Sequence, residues 1–178
     1  MEIDEERRRA EQARAEHRIA DAARHLSNVV DALRSSNDRA ALAHALRDLG
    51  ELERGIPALD SARIHYEEAT SILRELDTPL TLAHTIRHLG DIHTKAGRHS
   101  LAEQCCEEAV AMHRTQSDAS ALDVANAIRS LAVVKERLAQ VDQARQLWQD
   151  AHNRYAALNV VEGTAEAAAH LGRLTRNQ

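Results

Sequence analysis

The sequence contains no phenylalanine, and its aromatic residues are two tyrosines, Tyr66 and Tyr155, and one tryptophan, Trp148. Alanine, leucine, valine and isoleucine must therefore fill any interior, and Ala and Leu are among the strongest helix formers. Only six glycines and two prolines interrupt the 178 residues, so the stretches between them are long. These shortages together predict an all-α protein.

The chain has no excess of basic charge and no long apolar run. Its formal net charge of −5 argues against a nucleic-acid partner, since phosphates need a basic surface, and the few aromatics offer little for bases to stack on. No apolar stretch approaches the roughly 20 residues of a membrane helix. Residues 2–18 are mostly charged or Ala, unlike a signal segment. We therefore expect a cytoplasmic protein with neither nucleic-acid nor membrane partners.

The chain has only two cysteines, the neighbours Cys105 and Cys106. Adjacent residues of a helix point in different directions, so a disulfide between them is strained. Free thiols suit a reducing compartment. We interpret Cys106 as a small buried hydrophobic residue rather than a nucleophile.

A nine-residue segment recurs four times along the chain. Residues 42–50 and 82–90 share six of nine positions, and further copies occupy 124–132 and 164–172, at spacings of 40, 42 and 40 residues. A constant internal period is the signature of a repeat architecture, in which each repeat buries its apolar face against the next.

These copies resemble the first helix, helix A, of the tetratricopeptide repeat (TPR), whose seventh position is often Leu and whose eighth is small. The motif then expects a small residue twelve positions later, a large one four beyond it, and Ala three beyond that. The three complete repeats place there Ala62, Tyr66 and Ala69; Ala102, Cys106 and Ala109; and Ala144, Trp148 and Ala151. The resemblance covers roughly residues 38–176.

The resemblance implies a right-handed α-solenoid of helix-turn-helix repeats. We predict a charged helical extension over 1–17 and a solenoid over 18–178, made of a B-type helix at 18–34, repeats at 38–77, 78–117 and 120–159, and a capping helix at 163–176. The repeat is longer than the usual 34 residues, and in this it is similar to kinesin light chain and LGN-like arrays. The usual aromatic at the eleventh position is replaced by Glu53, His93 and Lys135.

Turn residues agree with these boundaries. Pro57 and Gly97 mark two turns between A and B helices, and Pro79 suits the first turn of a helix. Ser100 and Glu103 have the spacing of a capping box at the start of a B helix.

In TPR proteins the A helices line a concave groove that holds peptides, at the second, fifth, sixth and ninth motif positions. The resemblance therefore implies a peptide-binding groove formed by His44, Arg47, Asp48, Glu51, His84, Arg87, His88, Asp91, Asn126, Arg129 and Ser130.

Three arginines, Arg47, Arg87 and Arg129, occupy the fifth position of successive repeats. A guanidinium group can donate two parallel hydrogen bonds to a carboxylate. One interpretation is a site for an extended acidic peptide or a free C-terminal carboxylate. The alternative is a structural charge network, in which the arginines pair with Asp48, Glu51, Asp91 or Glu136.

No Gly-rich phosphate loop, nucleophile elbow or Cys–His arrangement is present. We predict a non-catalytic adaptor or scaffold that binds another protein and needs no cofactor. The helical pair His84 and His88 falls short of the three or four protein ligands of a zinc site, so we predict no metal.

Two other functions remain open. The ends of the array, or its charged N-terminal helix, would make the chain a self-assembling unit, and hence a homo-oligomer. Alternatively, a small signal molecule or short peptide would fill the groove and make the protein a regulatory sensor.

Overall fold

The computed structural model describes residues 2–54 and 59–176, and the chain divides into two compact units, Met1–Thr78 and Pro79–Gln178. The described residues are all-α, as predicted, with nine helices packed in sequence as in a TPR solenoid. These are α1 (Glu2–Ala15), α2 (Ile19–Arg34), α3 (Arg39–Glu53), α4 (Leu59–Glu75), α5 (Pro79–Lys95), α6 (His99–Thr115), α7 (Ala121–Arg137), α8 (Val141–Ala157) and α9 (Val161–Arg176).

In the first unit each helix packs on the next, α1 on α2, α2 on α3 and α3 on α4. The small residue of helix A allows the α3–α4 pair to approach closely. A Cβ atom on Gly50 would lie 2.8 Å from Cε2 of Tyr66, so the buried tyrosine ring fills the space that any side chain would need. The spacing in the repeat predicts this contact.

More of the α1 helix is buried than its highly charged sequence predicts. Its sequence is rich in charged residues, but Ala10 and Ala13 are buried against the rest of the unit. Glu6 of α1 also accepts hydrogen bonds from Nδ1 of His25 at 2.9 Å and Nδ2 of Asn28 at 2.8 Å on α2. Small side chains thus let α1 lie close enough to α2 for both kinds of contact.

In the second unit the pairs α5–α6, α6–α7, α7–α8 and α8–α9 pack in sequence, and α5 also contacts α7. A Cβ atom on Gly90 would lie 2.7 Å from Sγ of Cys106, the counterpart of the Gly50–Tyr66 contact. In the third repeat Trp148 is fully buried in a core that includes Ala132. The indole Nε1 of Trp148 donates to Glu136 at 2.5 Å, and its ring stacks on His170 of α9.

The helix ends agree with the turn chemistry in part. The α5 helix begins at Pro79, and Gly97 has a φ of +72° in the turn before α6. The capping box at Ser100 is wrong, because α6 begins at His99 with Arg98 as its N-cap residue, which places Ser100 inside the first turn. The α9 helix begins at Val161, two residues before the predicted start at 163. Pro57 lies outside the described residues.

Candidate functional site

The α3 helix carries the four predicted groove residues of the first unit. His44 and Asp48 are exposed, and Arg47 is half-buried. Within residues 2–54 and 59–176, no carboxylate forms an ion pair with Arg47. Glu51 accepts a hydrogen bond from Arg54 at 2.5 Å and one from the Tyr66 hydroxyl at 3.1 Å. Burial, and then the charge of Glu51, raise the pKa of Tyr66, so the tyrosine stays neutral.

On α5 of the second unit, polar contacts connect the side chains of Arg87, His88 and His84. Nη2 of Arg87 lies 2.8 Å from Nε2 of His88, which in turn lies 3.1 Å from Nε2 of His84. Because arginine can only donate, Nε2 of His88 accepts, and His88 is therefore neutral. Nη1 of Arg87 donates to Asp91 at 3.3 Å. Arg87 and His88 are both buried.

Arg129 of α7 forms a two-point ion pair with a carboxylate of α9. Its Nε and Nη2 atoms donate to the two carboxylate oxygens of Glu166 on α9 at 2.6 and 2.7 Å. The pair is partly open to solvent, with side-chain exposures of 36% and 33%. The hydrogen bonds to Glu166 raise the pKa of Arg129. The guanidinium thus binds a carboxylate in the two-point geometry that the sequence analysis assigned to a ligand.

The two remaining groove residues of α7 face the protein. Oδ1 of Asn126 accepts a hydrogen bond from the Tyr155 hydroxyl at 2.8 Å. Burial raises the pKa of Tyr155, and the nearby positive charge of Arg129 opposes this. Ser130 is buried, and its hydroxyl has no hydrogen-bond partner in the part of the chain that the structure describes. Ser130 therefore presents little surface to a ligand.

In the second unit, Arg87 and Arg129 pair with carboxylates of the chain itself. This arrangement corresponds to the alternative interpretation, a structural charge network. Asp91 pairs with Arg87, as that interpretation allows, but Glu166 was not among the carboxylates considered. Glu136, which was considered, instead binds Trp148 and His170, the latter at 2.6 Å. Glu166 occupies the second motif position of the fourth copy, and this position was the one signal that could have identified it.

The described residues contain no group of three or more His, Cys, Asp and Glu that could hold a metal ion. His84 and His88 face each other edge to face, with ring centroids 4.6 Å apart. The two cysteines form no disulfide with each other, and burial raises the pKa of the Cys106 thiol, which keeps it protonated. None of the described helices is both long and apolar enough to cross a membrane.

Within each unit, consecutive helices pack on one another as in a TPR solenoid, with small residues at the crossings. The solved structures that resemble this chain are TPR-repeat proteins, including arrays of the kinesin light chain type, so the predicted resemblance is confirmed. A kinesin light chain-like protein with nearly identical TPR-like repeats from Podospora anserina is 14% identical, with a TM-score of 0.80 over 98% of this chain and 85% of that one.

Two larger proteins share the same fold over part of their length. A STAND ATPase with a TPR sensor from Pyrococcus horikoshii is 16% identical, with a TM-score of 0.83 over 95% of this chain. Aspartyl phosphate phosphatase F from Bacillus subtilis is 12% identical, with a TM-score of 0.82 over 97% of this chain. The chain spans 26% of the ATPase and 45% of the phosphatase. Identities this low show a common fold alone.

No protein-family model matches the sequence, and neither does any curated protein. The fold is one that typically serves protein–protein interaction and is usually non-catalytic.

Proposed function

We propose that this chain is a non-catalytic protein-interaction module whose A helices bind an extended acidic segment, or a free C-terminal carboxylate, of a partner protein. In the first unit the binding residues are His44, Arg47, Asp48 and Glu51. In the second unit they are His84, Arg87, His88, Asp91 and Arg129. Asn126, which accepts a hydrogen bond from Tyr155, and buried Ser130 face the protein and are left out of the proposed binding set.

The contact between Arg129 and Glu166 is the observation that supports this proposal. A carboxylate already sits on the A-helix face, held at two points by a guanidinium group that solvent can reach. A ligand carboxylate would exchange with Glu166 for the same two donors. Hydrogen bonds to charged groups are worth roughly 1.5–3 kcal/mol each, so the exchange replaces one strong interaction with another of the same kind.

Arg47 is the other anchor of the proposal, for a different reason. It has no ion-pair partner among the described residues, so a ligand carboxylate would displace nothing at this position. Exposed His44 precedes it by three residues and lies on the same helix face. A carboxylate bound here would meet two donors on neighbouring turns of α3.

The test is binding of fluorescein-labelled acidic decapeptides, with free or amidated C-termini, measured by fluorescence polarisation. Arg47→Gln and Arg129→Gln should each weaken binding about tenfold, because each removes a charged hydrogen-bond donor. Arg145→Gln on α8 is the matched control, since its side chain is 33% exposed and pairs with Asp142 away from the A helices. Equal binding by all three variants would exclude the A-helix faces as the peptide-binding site.

A second candidate function is a ligand-responsive sensor. The resemblance to the STAND ATPase, whose TPR part is described as a sensor, favours it. X-ray scattering of the chain with each acidic peptide would separate the two functions. Peptide binding stabilises the fold in both cases, but only a sensor changes its scattering profile when the peptide binds. An unchanged scattering profile at saturating peptide would exclude the sensor and leave the protein-interaction module as the remaining function.

A further inference from the structure

The first unit contains a pocket between α1 and α3 that the sequence analysis did not identify. It is lined by Arg7, Glu11 and Arg14 of α1, Leu26 of α2, and Asp48 and Leu52 of α3, and has a volume of about 130 Å³. Pockets for whole small-molecule ligands usually hold about 300–1,000 Å³. The space therefore suits a single aliphatic side chain.

The two arginines of the pocket, Arg7 and Arg14, differ from Arg9 and Arg18 of the same segment. Arg9 pairs with Glu5 and Glu6, and Arg18 pairs with Glu16 and Asp21. In contrast, Arg7 and Arg14 form no ion pair with any of the residues that the structure describes. Two positive charges thus flank the pocket with their donors available.

The spacing of these arginines fits an extended peptide. Arg7 and Arg14 are seven residues apart, which is two helical turns on one face, or roughly 10.5 Å along the axis. In an extended chain, alternate side chains point the same way, and residues four apart are separated by about 13 Å. The long arginine side chains can splay to cover the difference. Two acidic residues of a peptide would each meet one guanidinium, with the side chain midway between them pointing into the pocket.

The rest of the lining complements the same ligand. Leu26 and Leu52 give the pocket an apolar floor, which an aliphatic side chain would cover and remove from water. Glu11 and Asp48 present carboxylates that can accept hydrogen bonds from the N–H groups of the peptide backbone. They also repel peptides with an acidic side chain at the central position. The pocket therefore selects peptides by the positions of their acidic residues rather than by their total negative charge.

We infer that this pocket binds an extended segment of a partner protein with the pattern acid–x–aliphatic–x–acid, in which Arg7 and Arg14 bind the two acids and Leu26 and Leu52 receive the aliphatic side chain. The inference rests on the proposed function in so far as the ligand is a polypeptide. It adds the α1 helix to the binding surface and specifies the ligand pattern.

The test uses an amidated, fluorescein-labelled peptide containing Asp-Ser-Leu-Ser-Asp between Gly-Ser linkers. The double variant Arg7→Gln with Arg14→Gln should bind it about tenfold more weakly than the unmodified full-length chain, as expected for the loss of charged hydrogen bonds. Arg8→Gln is the matched control, because Arg8 is an exposed neighbour on the same helix that does not line the pocket, and its Nε donates to the backbone oxygen of Asp4 at 3.4 Å. It should change affinity less than twofold.

Peptide variants test the pattern itself. Replacing both Asp residues by Asn, or the Leu by Ser, should each reduce affinity for the unmodified chain, and circular dichroism should show the same helix content in all protein variants. Equal affinity of the double variant and the unmodified chain would contradict the proposal that the pocket binds the peptide through Arg7 and Arg14. So would a lack of binding by this peptide while other acidic decapeptides bind through Arg47 and Arg129, an outcome that leaves the proposed function intact. If no acidic peptide binds the unmodified chain, both the proposed pocket and the proposed function are wrong.

Discussion

Gly50 and Tyr66 are packed so closely that a single added carbon on the glycine would lie 2.8 Å from the tyrosine ring. Gly90 and Cys106 have the same relationship one repeat later, at 2.7 Å. In both repeats a backbone without a side chain on helix A faces the sixteenth residue after it on helix B. Because cores pack at nearly crystalline density, neither pair leaves room for a larger residue.

Gly50→Val should therefore destabilise the fold. The new side chain must displace a fully packed tyrosine ring, and overpacking of a core costs about 1–3 kcal/mol. Urea unfolding followed by circular dichroism measures the change. Gly172→Ala in α9 is the control, because the nearest described side-chain atom to a Cβ atom there would be Nη1 of Arg176, at an ordinary contact distance of 3.7 Å. That variant should be neutral or more stable by up to about 1 kcal/mol, since Ala is the better helix former. Similar losses from both variants would contradict the packing argument.

Glu166→Gln should have opposite effects on stability and on binding. It removes a partly exposed ion pair between α7 and α9, which costs up to about 1 kcal/mol, and it releases the donors of Arg129 for an incoming carboxylate. Acidic peptides should then bind more tightly. Urea unfolding and fluorescence polarisation measure the two effects.

Asp150→Asn is the control for Glu166→Gln. It weakens the Arg154 pair of α8, whose side chains are exposed to a similar degree, 36% and 38%, and it leaves Arg129 unchanged. Weaker peptide binding by Glu166→Gln would show that Glu166 itself helps to hold the ligand.

The sequence was sufficient to predict the packing of helix pairs but not the carboxylate that pairs with Arg129. The contact of Gly50 with Tyr66 follows from their separation in the repeat, which fixes where helix B returns across helix A. The contact of Arg129 with Glu166 depends instead on how α7 and α9 are rotated about their own axes, which no local pattern encodes. Arg7 and Arg14 were missed because a run of mixed charge has no period that distinguishes the two arginines facing a pocket.

The carboxylate of Glu6 should give the first unit an acid-sensitive contact. The hydrogen bond to His25, followed by that to Asn28, lowers the pKa of Glu6 from 4.5 to about 2. A carboxylate with a lowered pKa in the folded state stabilises the fold above its unfolded pKa, and this contribution is lost as the pH falls from 4.5 towards 2.

Glu6→Gln should therefore lower the melting temperature at pH 7 by about 2 °C and have little effect near pH 2. Thermal unfolding at pH 7, 4 and 2.5 measures this. Glu11→Gln on the same helix is the control, because Glu11 makes no ion pair with the described residues. An equal shift for Glu6→Gln at every pH would contradict the assignment.

His113 of α6 should make the second unit less stable in mild acid. It is 2% exposed, and neither ring nitrogen has a hydrogen-bond partner among the described residues. Burial lowers the pKa of His113, with the charge of Asp123 opposing and that of Arg87 adding to this effect. Because the folded state disfavours the protonated ring, His113 lowers the stability of the fold as the pH falls below its unfolded pKa of 6.5.

His113→Leu replaces an unsatisfied polar ring by an apolar side chain. The variant should gain about 1 kcal/mol at pH 7.5 and more at pH 5.5, where the unmodified chain also bears the cost of the buried charge. Urea unfolding at both pH values measures the difference. His44→Leu is the control, since His44 is exposed and its replacement removes no buried ring, so it should not change the pH dependence. If His113→Leu is destabilising at both pH values by the same amount, the ring is held by contacts that its neutral form makes, and its protonation does not limit the stability of the unit.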